Sequence, residues 1–379
     1  MKKVAVVTGT RADYGIYYPI LKAIQGDDEL ELHLIVTGMH LSSSYGNTAE
    51  NIKQDGFRIS ARVECLFQGS THGNMARSIG VGIMGMTQAF ESIEPDFVIV
   101  LGDRGEMLAA AIVSTHMNIP LIHLHGGEVS GTIDESVRHA ISKFAHIHMV
   151  ATEGSKERLI RMGEDPWRIN VVGAPRIETI ENTILPSLDE TKRKYELDFT
   201  GNYLLFVYHP VTTEEHDLVV LDQLLRELMQ TELNLVCIMP NSDAGSEKIK
   251  EVYEKFVGAP KIYMATNFGQ LDYLVMLKHA AMLVGNSSSG IIEAASYKVP
   301  VINIGSRQNG RERSFNIIDI SENRDDLVKA IAHVQGKEFQ QSLQSLTNVY
   351  GRENTSRNIV QIIKQISKTE RLIQKTITY

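Results

Sequence analysis

Short runs of β-branched and other apolar residues alternate with helix-length amphipathic segments from the first residues of the chain onward. In the first half, the runs of strand length are Val4–Val7, Leu32–Val36, Phe97–Leu101, Leu121–Leu124, Ile147–Val150 and Ile169–Val172. The helical patterns between them are Ile16–Gln25, Met75–Ile93, Glu106–Met117, Ser136–Phe144 and Lys156–Met162. Because parallel strands are joined by crossover helices, this alternation predicts an α/β fold with a doubly wound parallel sheet.

The alternation is interrupted between about Glu181 and Gly201, where the chain is charged and contains Pro186. It then restarts, with strands predicted at Tyr203–Tyr208, Asn234–Met239, Ile262–Met264, Met282–Val284 and Val301–Ile304. A chain of 379 residues also exceeds one typical domain of ~150 residues. We therefore predict an N-terminal α/β domain over residues 1–183, a second over residues 200–352, and a closing helix within residues 353–379, where isoleucines recur with helical spacing.

The composition narrows the classes of function. With 43% hydrophobic and 22% charged residues, the chain is expected to be a soluble globular protein, neither disordered nor fibrous. Its apolar runs are far shorter than the ~20 residues that cross a bilayer, and the N-terminal run is predicted to be a strand and not a signal peptide. The two cysteines, Cys65 and Cys237, are far apart, which argues against a disulfide framework and fits a cytoplasmic location. A net charge of −8 argues against general nucleic-acid binding.

Polar, glycine-bearing segments follow most of the predicted strands. They are Thr8–Gly15, Gly38–His40, Gly102–Arg104, His125–Glu128, His209–Pro210, Pro240–Asp243 and Gly285–Gly290. In open α/β sheets, ligands bind beyond the carboxyl ends of the strands. Packing alone does not explain so many polar strand ends, and they predict a ligand site in a cleft between two domains.

The segment Met282–Glu293 has the pattern of a strand, a turn of small residues and a helix start. Backbone N–H groups and serine hydroxyls at such a helix N-terminus suit a phosphate, and Glu293 could accept hydrogen bonds from a ribose diol. The alternative is a helix-capping cluster with a solvated glutamate; Arg307, which follows the next strand, favours the phosphate. No Walker lysine is present and no G-x-G-x-x-G turn joins a predicted strand to a helix, so ATP and NAD are not expected.

Arg11 and Arg104 come just after predicted strands, where an arginine fork can bind a phosphate bidentately. A cation at a helix start opposes the helix dipole, which makes a purely structural role less favourable. For each arginine the alternative is an ordinary salt bridge, to Asp13 or to Glu106 respectively. Taken together, the two arginines favour a diphosphate.

His123 and His125 are two residues apart on a predicted strand, so both are expected on one face, with Glu128 and Asp134 close behind. A metal site could be built from such residues. However, the pair runs directly into two glycines, and the only other histidines nearby are His139 and the pair around residue 147. No metal is therefore expected.

Carboxylates beside histidines suit general acid–base catalysis instead. The carboxylates concerned are Asp103, Glu128, Asp134 and Glu135. His146 and His148 are interpreted as buried core histidines whose ring nitrogens are hydrogen-bonded.

A series of short motifs occurs in order along the chain. They are Thr-Arg-Ala-Asp-Tyr at 10–14, Gly-Met-His-Leu at 38–41, Gly-Asp-Arg at 102–104, His-Gly-Gly-Glu at 125–128, Ile-Asp-Glu-Ser-Val-Arg-His-Ala at 133–140, His-Pro-Val-Thr-Thr at 209–213, Gly-Asn-Ser-Ser-Ser-Gly at 285–290 and Gly-Ser-Arg-Gln-Asn-Gly-Arg at 305–311. In this order they resemble the hydrolysing UDP-N-acetylglucosamine 2-epimerases, which make N-acetylmannosamine for sialic acid and related nonulosonates. The resemblance covers the chain from Val4 to about Arg311. Each motif alone is weak, but the ordered set is specific.

The resemblance implies two Rossmann-like domains arranged as in the B-type glycosyltransferases, with the active site in the interdomain cleft. It implies that UDP is held by Arg11, Arg104, His209, Asn241, Ser287, Ser288, Glu293 and Arg307. It links Asp103, Glu128 and Asp134 to catalysis, and His125 and His209 are further catalytic candidates. The animal enzymes differ in carrying Glu where His125 stands, whereas bacterial members share the His-Gly-Gly-Glu motif.

The implied reaction converts UDP-N-acetylglucosamine and water to N-acetylmannosamine and UDP. The C2 hydrogen of the sugar is not acidic by itself, but departure of UDP makes C1 cation-like and thereby acidifies it. Elimination gives a glycal, and hydration with reprotonation from the other face gives the manno epimer. Arginines and helix N–H groups stabilise the charge on the leaving diphosphate, and no cofactor is required.

Three alternatives remain open from the sequence. The same chemistry could act on a UDP-2,4-diacetamido-2,4,6-trideoxy sugar of the legionaminic acid pathway. A B-type UDP-sugar glycosyltransferase would share the fold and the nucleotide pocket, and a non-catalytic sugar-nucleotide sensor would share the pocket alone. The expected partners are a UDP-sugar and a second copy of the chain, as a homodimer or a dimer-based homo-oligomer, with neither nucleic acid nor membrane.

Overall fold

The computed structural model describes residues 1–43, 48–67, 72–129, 133–211, 218–240 and 245–378. The chain forms two compact units. Unit 1 comprises Met1–Glu128, Ile133–Thr179 and the C-terminal segment from Tyr350, whereas unit 2 comprises Ile180–Val349 and a short segment that begins at Val129. Unit 1 is therefore built from stretches that lie on both sides of unit 2 in the sequence.

Unit 1 contains a parallel sheet. Its strands are β1 (Lys2–Thr8), β2 (Leu30–Thr37), β3 (Ile59–Val63), β4 (Phe97–Leu101), β5 (Leu121–Leu124), β6 (Ile147–Val150) and β7 (Ile169–Val171). They lie in the order β3-β2-β1-β4-β5-β6-β7, so the order reverses between β1 and β4. Every strand predicted in this half is present, with small shifts of its ends. The edge strand β3 was not predicted, because Ser60 and Arg62 give it a polar pattern and most of its residues are only half-buried.

Unit 2 repeats this architecture with a second parallel sheet. Its strands are β8 (Tyr203–Val207), β9 (Asn234–Ile238), β10 (Ile262–Ala265), β11 (Met282–Gly285), β12 (Val301–Ile304) and β13 (Ile317–Ile320). Their order is β10-β9-β8-β11-β12-β13, with the reversal between β8 and β11. The edge strand β13 was not predicted, because it is only four residues long and contains Asp319. Two doubly wound parallel sheets thus confirm the predicted fold class.

Helices lie between the strands of both units, and the five helical patterns predicted in the first half of the chain are all present. The first group is α1 (Arg11–Gln25), α2 (Ala49–Gln54), α3 (His72–Ile93), α4 (Gly105–His116), α5 (Ile133–Phe144), α6 (Glu153–Arg161) and α7 (Pro175–Asn182). The next are α8 (Leu188–Lys194), α9 (Leu218–Leu228), α10 (Ser246–Glu254), α11 (Gln270–Lys278), α12 (Ser288–Ile292), α13 (Arg324–Gln335) and α14 (Lys337–Ser342). Helices α15 (Thr355–Gln365) and α16 (Glu370–Ile373) end the chain. In the described part of the chain, no helix has the length and apolarity needed to cross a membrane.

Strand β1 shows why the strand runs are continuously apolar. Val4 and Val6 belong to one buried cluster, whereas Ala5 and Val7 belong to another on the opposite face of the sheet. Successive side chains of a strand point to opposite faces, so a sheet that helices cover on both sides needs apolar residues at every position. Each fully buried Val or Leu contributes about 1.5–3 kcal/mol to folding.

The C-terminal segment, expected to form one closing helix, forms two. Helix α15 ends at Gln365, and Thr369 caps the start of α16 by accepting a hydrogen bond from the Leu372 N–H at 3.2 Å. The Lys2 ammonium donates to the backbone carbonyls of Ile363, Lys364 and Ile366 at 3.1, 2.7 and 2.7 Å. These bonds satisfy carbonyls that are left without partners where α15 ends, which allows the helix to stop there.

Candidate active site

The turn after β1 is fixed by Asp13. Its carboxylate accepts hydrogen bonds from the N–H groups of Gly9, Thr10 and Tyr14 at 2.9, 2.7 and 2.8 Å, and it forms a capping box with Thr10. Asp13 is therefore committed to its own helix start and does not pair with Arg11. Arg11 is exposed at the first position of α1 and makes no ion pair or hydrogen bond with any residue that the structure describes.

His40, which follows β2, is bonded on both ring nitrogens. Its Nε2 lies 3.1 Å from Thr8 Oγ1 and its Nδ1 lies 2.6 Å from Thr48 Oγ1. The ring is fully buried, and this burial lowers the pKa of the imidazole below its usual range. His40 thus joins the ends of β1 and β2 as a neutral core histidine.

Arg104 and Glu106 lie at the start of α4, which follows β4. Arg104 occupies the N-cap position, and its Nε lies 3.4 Å from Glu106 Oε2, so the salt bridge considered for this arginine is present. The Glu106 side chain is only 10% exposed. It packs against Gly9 and Gly38, and a Cβ on Gly38 would collide with its carboxylate. Sequence reasoning treated Glu106 only as a salt-bridge partner and missed its place between the turns after β1, β2 and β4.

Arg138 on α5 holds the turns after β4 and β5. Its guanidinium donates from Nη2 to the Asp103 carboxylate and from Nη1 to the Glu128 carbonyl, the latter at 3.3 Å. Arg138 is only 3% exposed, so it is a buried cation with a carboxylate partner. Its motif was recognised in the sequence, but its role was not, because Asp103 lies 35 positions away along the chain.

His125 and Glu128 form a buried pair after β5. The His125 Nδ1 lies 2.5 Å from Glu128 Oε1, and the two side chains are 10% and 6% exposed. His125 adopts a left-handed backbone conformation with φ of 59°, which is uncommon for a residue with a Cβ. Its Nε2 is buried, and no described residue forms a hydrogen bond with it. A strained backbone and an unused buried nitrogen are typical of residues held for function.

The expectation that His123 and His125 share one face is wrong, because β5 ends at Leu124 and the backbone turns at His125. His123 lies in the core, with its Nε2 2.8 Å from the Gly102 carbonyl and its Nδ1 3.1 Å from Ser142 Oγ. Burial lowers the pKa of His123 to about 3.

His146 and His148 are buried as expected, but the buried His148 Nδ1 has no hydrogen-bond partner among the described residues, so the expected bonding is only partly present. The His146 Nδ1 accepts from the Leu121 N–H at 3.0 Å, and the His148 Nε2 lies 3.0 Å from a Glu164 carboxylate oxygen. Within the described residues, no three His, Cys, Asp or Glu side chains are grouped as metal ligands would be.

Asp134 and Glu135 lie in the first turn of α5, where the helix dipole favours negative charge. Asp134 is exposed, and Glu135 lies 3.5 Å from His139 Nε2 one turn later. Of the predicted carboxylates, the structure therefore joins Asp103 and Glu128 through Arg138, whereas Asp134 lies on the outer surface of the same helix.

In unit 2, Ser287 caps the short helix α12. Its hydroxyl accepts from the Ser289 N–H at 3.4 Å and lies 2.9 Å from the Ser289 hydroxyl, which also contacts Tyr273 Oη. The capping cluster considered as an alternative is thus present in this structure. Glu293 directly follows α12 and is half-buried.

His209 follows β8, and Arg307 follows β12. Burial, and after it the charge of Arg307, lower the pKa of His209 to about 3, so its imidazole is neutral at physiological pH. Arg307 Nη1 donates to the Asn286 carbonyl at 3.1 Å. These residues and Ser288, the first residue of α12, all lie at the carboxyl ends of neighbouring strands of the second sheet. Asn241 lies outside the described residues.

Comparisons with known proteins agree with this architecture. A family model described as UDP-N-acetylglucosamine 2-epimerase matches residues 22–364. The chain is 41% identical over 380 residues to UDP-N,N'-diacetylbacillosamine 2-epimerase (hydrolyzing) of Legionella pneumophila, with 100% of each chain covered. It is 40% identical over 325 residues to UDP-N-acetylglucosamine 2-epimerase of Neisseria meningitidis serogroup B, covering 84% of this chain and 83% of the relative.

Solved structures show the same fold. The UDP-GlcNAc 2-epimerase from Neisseria meningitidis bound to UDP-GlcNAc has a TM-score of 0.82 at 15% identity, covering 96% of this chain and 100% of that one. A Staphylococcus aureus MnaA–UDP complex has a TM-score of 0.77 at 21% identity, covering 96% of each chain. The two sheets are thus Rossmann-like domains of the kind found in these proteins. With a family model that spans most of the sequence and a full-length relative, the chain belongs to the UDP-N-acetylglucosamine 2-epimerase family.

Proposed function

We propose that this protein is a hydrolysing 2-epimerase that converts UDP-N-acetylglucosamine and water to N-acetylmannosamine and UDP. The observation that carries the proposal is the buried His125–Glu128 pair, whose outer ring nitrogen has no partner among the described residues. Binding a sugar nucleotide would not require a histidine and a carboxylate in direct contact inside the protein. A histidine oriented by a carboxylate suits general acid–base chemistry.

Glu128 acts on His125 through a single hydrogen bond. A carboxylate at Nδ1 fixes the orientation and tautomer of the ring, which leaves Nε2 as the nitrogen that accepts a proton and returns it. In the proposed reaction this proton is the C2 hydrogen of the sugar, which becomes acidic as the bond from C1 to UDP breaks. Asp103, held by Arg138, and Asp134 are the proposed additional acid–base groups, which activate water or return the proton to the opposite face.

The proposed UDP residues combine cations, hydroxyls and helix N–H groups. Arg11, Arg104 and Arg307 stabilise the negative charge that develops on the leaving diphosphate, an electrostatic effect commonly worth about 3–4 kcal/mol per well-placed donor. Ser287 and Ser288 start α12, where N–H groups point outward to an anion. His209 is neutral and suits a hydrogen bond to the nucleotide, and Glu293 is proposed to accept from the ribose hydroxyls.

A second candidate substrate is a UDP-2,4-diacetamido-2,4,6-trideoxy sugar. The full-length relative at 41% identity is named for UDP-N,N'-diacetylbacillosamine, whereas the relative named for UDP-N-acetylglucosamine covers 84% of the chain. The proton chemistry at C1 and C2 is the same for both sugars. The difference lies at C4 and C6, which the residues discussed above do not specify.

One experiment separates the candidate activities. The protein is incubated in D2O with each UDP-sugar alone, and UDP release and the free sugar are followed by NMR. A hydrolysing epimerase releases UDP and a free manno-configured sugar with one deuterium at C2. A glycosyltransferase needs an acceptor, a sensor releases nothing, and a product that keeps its bond to UDP would refute the hydrolysing reaction.

The proposed setting is a cytoplasmic homodimer that supplies N-acetylmannosamine to sialic acid-type sugar synthesis. Both cysteines are free and buried, which suits a reducing compartment. Helix α3 exposes Met75 and Met84 by 60% and 68%, and Phe67 just before it is 42% exposed. Met75 and Met84 are nine positions apart and so face different sides of the helix, and the proposed homodimer is tested by sedimentation.

A further inference from the structure

Asn286 lies at the point where the strand order of unit 2 reverses. It directly follows β11, and Gly285 before it has φ of 135°. A Cβ on Gly285 would collide with the Val207 carbonyl, so only glycine lets the end of β11 come this close to β8. The Asn286 N–H then donates to that same carbonyl at 3.0 Å, which extends the pairing beyond the strands. Ligands of such sheets bind at this edge.

The Asn286 side chain is bonded twice to the backbone of one residue. Its Oδ1 accepts from the His209 N–H at 2.7 Å, and its Nδ2 donates to the His209 carbonyl at 2.8 Å. The side chain is almost completely buried. Two bonds from one rigid amide fix both the position and the rotation of the His209 backbone, and aspartate could make only one of them.

The Asn286 carbonyl holds a third turn. It accepts from Arg307 Nη1 at 3.1 Å and from Gln308 Nε2 at 2.9 Å. Both residues follow β12, the next strand of the sheet. All the polar groups of Asn286 are therefore used, and they connect the turns after β8, β11 and β12.

We infer that Asn286 is a positioning residue for the nucleotide, which holds His209, Ser287 and Arg307 in one binding arrangement without contacting the ligand itself. The inference rests on the proposed function, because it adds a residue to the proposed UDP site. A neutral amide suits this place. The Asn286 backbone carbonyl aligns Arg307, and the uncharged side chain places no competing carboxylate at this turn.

Asn316 provides a matched control in the same unit. It is also fully buried, and its Nδ2 donates to the Val299 carbonyl at 2.7 Å. It precedes β13 and therefore lies at the amino ends of the strands, away from the ligand edge. Both asparagines fasten backbone, but only Asn286 fastens residues proposed to bind UDP.

The test is calorimetric measurement of UDP affinity for the wild-type chain, Asn286→Ala, Asn286→Asp and Asn316→Ala, with the melting temperature of each. Asn286→Ala should weaken UDP binding about tenfold or more, since two buried hydrogen bonds are lost. Asn286→Asp, which keeps Oδ1 but loses the donor, should show an intermediate loss. Asn316→Ala should lower the melting temperature while UDP affinity stays within about twofold of wild type.

A double-mutant cycle tests whether Asn286 acts through His209. In a His209→Ala background, Asn286→Ala should cost less UDP affinity than in the wild-type background, because part of what it positions is already gone. Equal UDP affinity in Asn286→Ala and wild type would overturn the inference. So would failure of both Asn286 variants to fold while Asn316→Ala folds, since that would make Asn286 a folding determinant. If the wild-type chain does not bind UDP, the proposed function fails instead.

Discussion

The two units have the same architecture, but different chemical groups hold the turns at the ends of their strands. Each is a doubly wound sheet, and in each a buried residue with several hydrogen bonds fastens neighbouring turns at the carboxyl ends of the strands. In unit 1 this residue is Arg138, a cation that binds the Asp103 carboxylate and the Glu128 carbonyl. In unit 2 it is Asn286, whose neutral side-chain amide bonds to the backbone N–H and carbonyl of His209.

The difference follows from what each set of turns must hold. Carboxylates that transfer protons are ionised for part of the reaction, and an ionised carboxylate inside a protein needs a counter-charge. A buried arginine supplies it. A site for a diphosphate needs its cations directed at the ligand, so the fastening group is better neutral. On the proposed function, proton transfer falls mainly to residues of unit 1, which also supplies Arg11 and Arg104, whereas unit 2 supplies Arg307 and the helix start proposed to bind the anion.

The largest expected effect concerns proton transfer, which the proposed function assigns to residues of unit 1. His125→Asn and Glu128→Gln should each lower kcat about 100-fold to 10,000-fold, because asparagine cannot accept the proton and glutamine at 128 no longer supplies the carboxylate that orients the histidine. Asparagine is chosen at 125 because it tolerates the left-handed backbone. UDP affinity should stay within about threefold of wild type, and deuterium uptake at C2 in D2O measures the step directly. Full activity in both variants would move the base to Asp103 or Asp134.

Removing the buried cation Arg138 tests whether its charge is what stabilises the turns of unit 1. Arg138→Met should lower the free energy of unfolding by about 3 kcal/mol, the low end for a broken buried pair because Asp103 keeps 22% of its side-chain exposure. Adding Asp103→Asn should restore much of this loss but no activity. Urea unfolding measures both changes. If Asn286→Ala costs as much as Arg138→Met and the double variant recovers nothing, charge is not what distinguishes the two units.

Lowering the pH should destabilise unit 1 before unit 2. Burial lowers the pKa of His123 to about 3 and that of His146 to about 4, whereas unfolded histidine has a pKa of ~6.5. The unfolded chain therefore binds protons that the folded chain does not, and stability is lost as pH falls below ~6.5. At pH 5 each such histidine costs about 2 kcal/mol. In unit 2, the pKa of His209 is also lowered to about 3, so this unit loses stability through His209 where unit 1 loses it through both His123 and His146.

Hydrogen exchange at pH 7 and pH 5 checks this order, because it reports protection separately for the strands of each sheet. Strands β4–β6 should lose protection first. Earlier loss in β8 and β11 would contradict it.

The smallest expected effect lies in the anion-binding helix start. Ser287→Ala should weaken UDP binding about fivefold, the effect of about 1 kcal/mol from one hydroxyl hydrogen bond. Its activity with saturating substrate should remain near wild type, in contrast to the Glu128 variant. Titration with UDP, paired with turnover at high substrate, measures both. A large loss of kcat with unchanged UDP affinity would assign Ser287 to the chemical step.

The sequence predicted those features that depend on local pattern. The central strands were predicted because every residue of a strand covered on both faces is apolar. The edge strands β3 and β13 contain Arg62 and Asp319, and they were therefore not predicted. The strand ends indicated candidate site residues, because ligand sites of such sheets lie there. The roles of Arg138 and Asn286 depend on which turns the fold brings together, and residue spacing carries no such information. The divergence of His123 and His125 depends on one backbone angle.

The interleaving of the units along the chain has a consequence for synthesis on the ribosome. The contiguous stretch Ile180–Val349 of unit 2 is released before Ile363 and Ile366, whose carbonyls bind Lys2. Lys2 therefore lacks these partners until residues 361 and 364 positions further along the chain have been synthesised. Unit 1 is thus the first unit to begin synthesis and the last to be completed. Its apolar strands therefore stay exposed longest and are accessible to chaperones during that time.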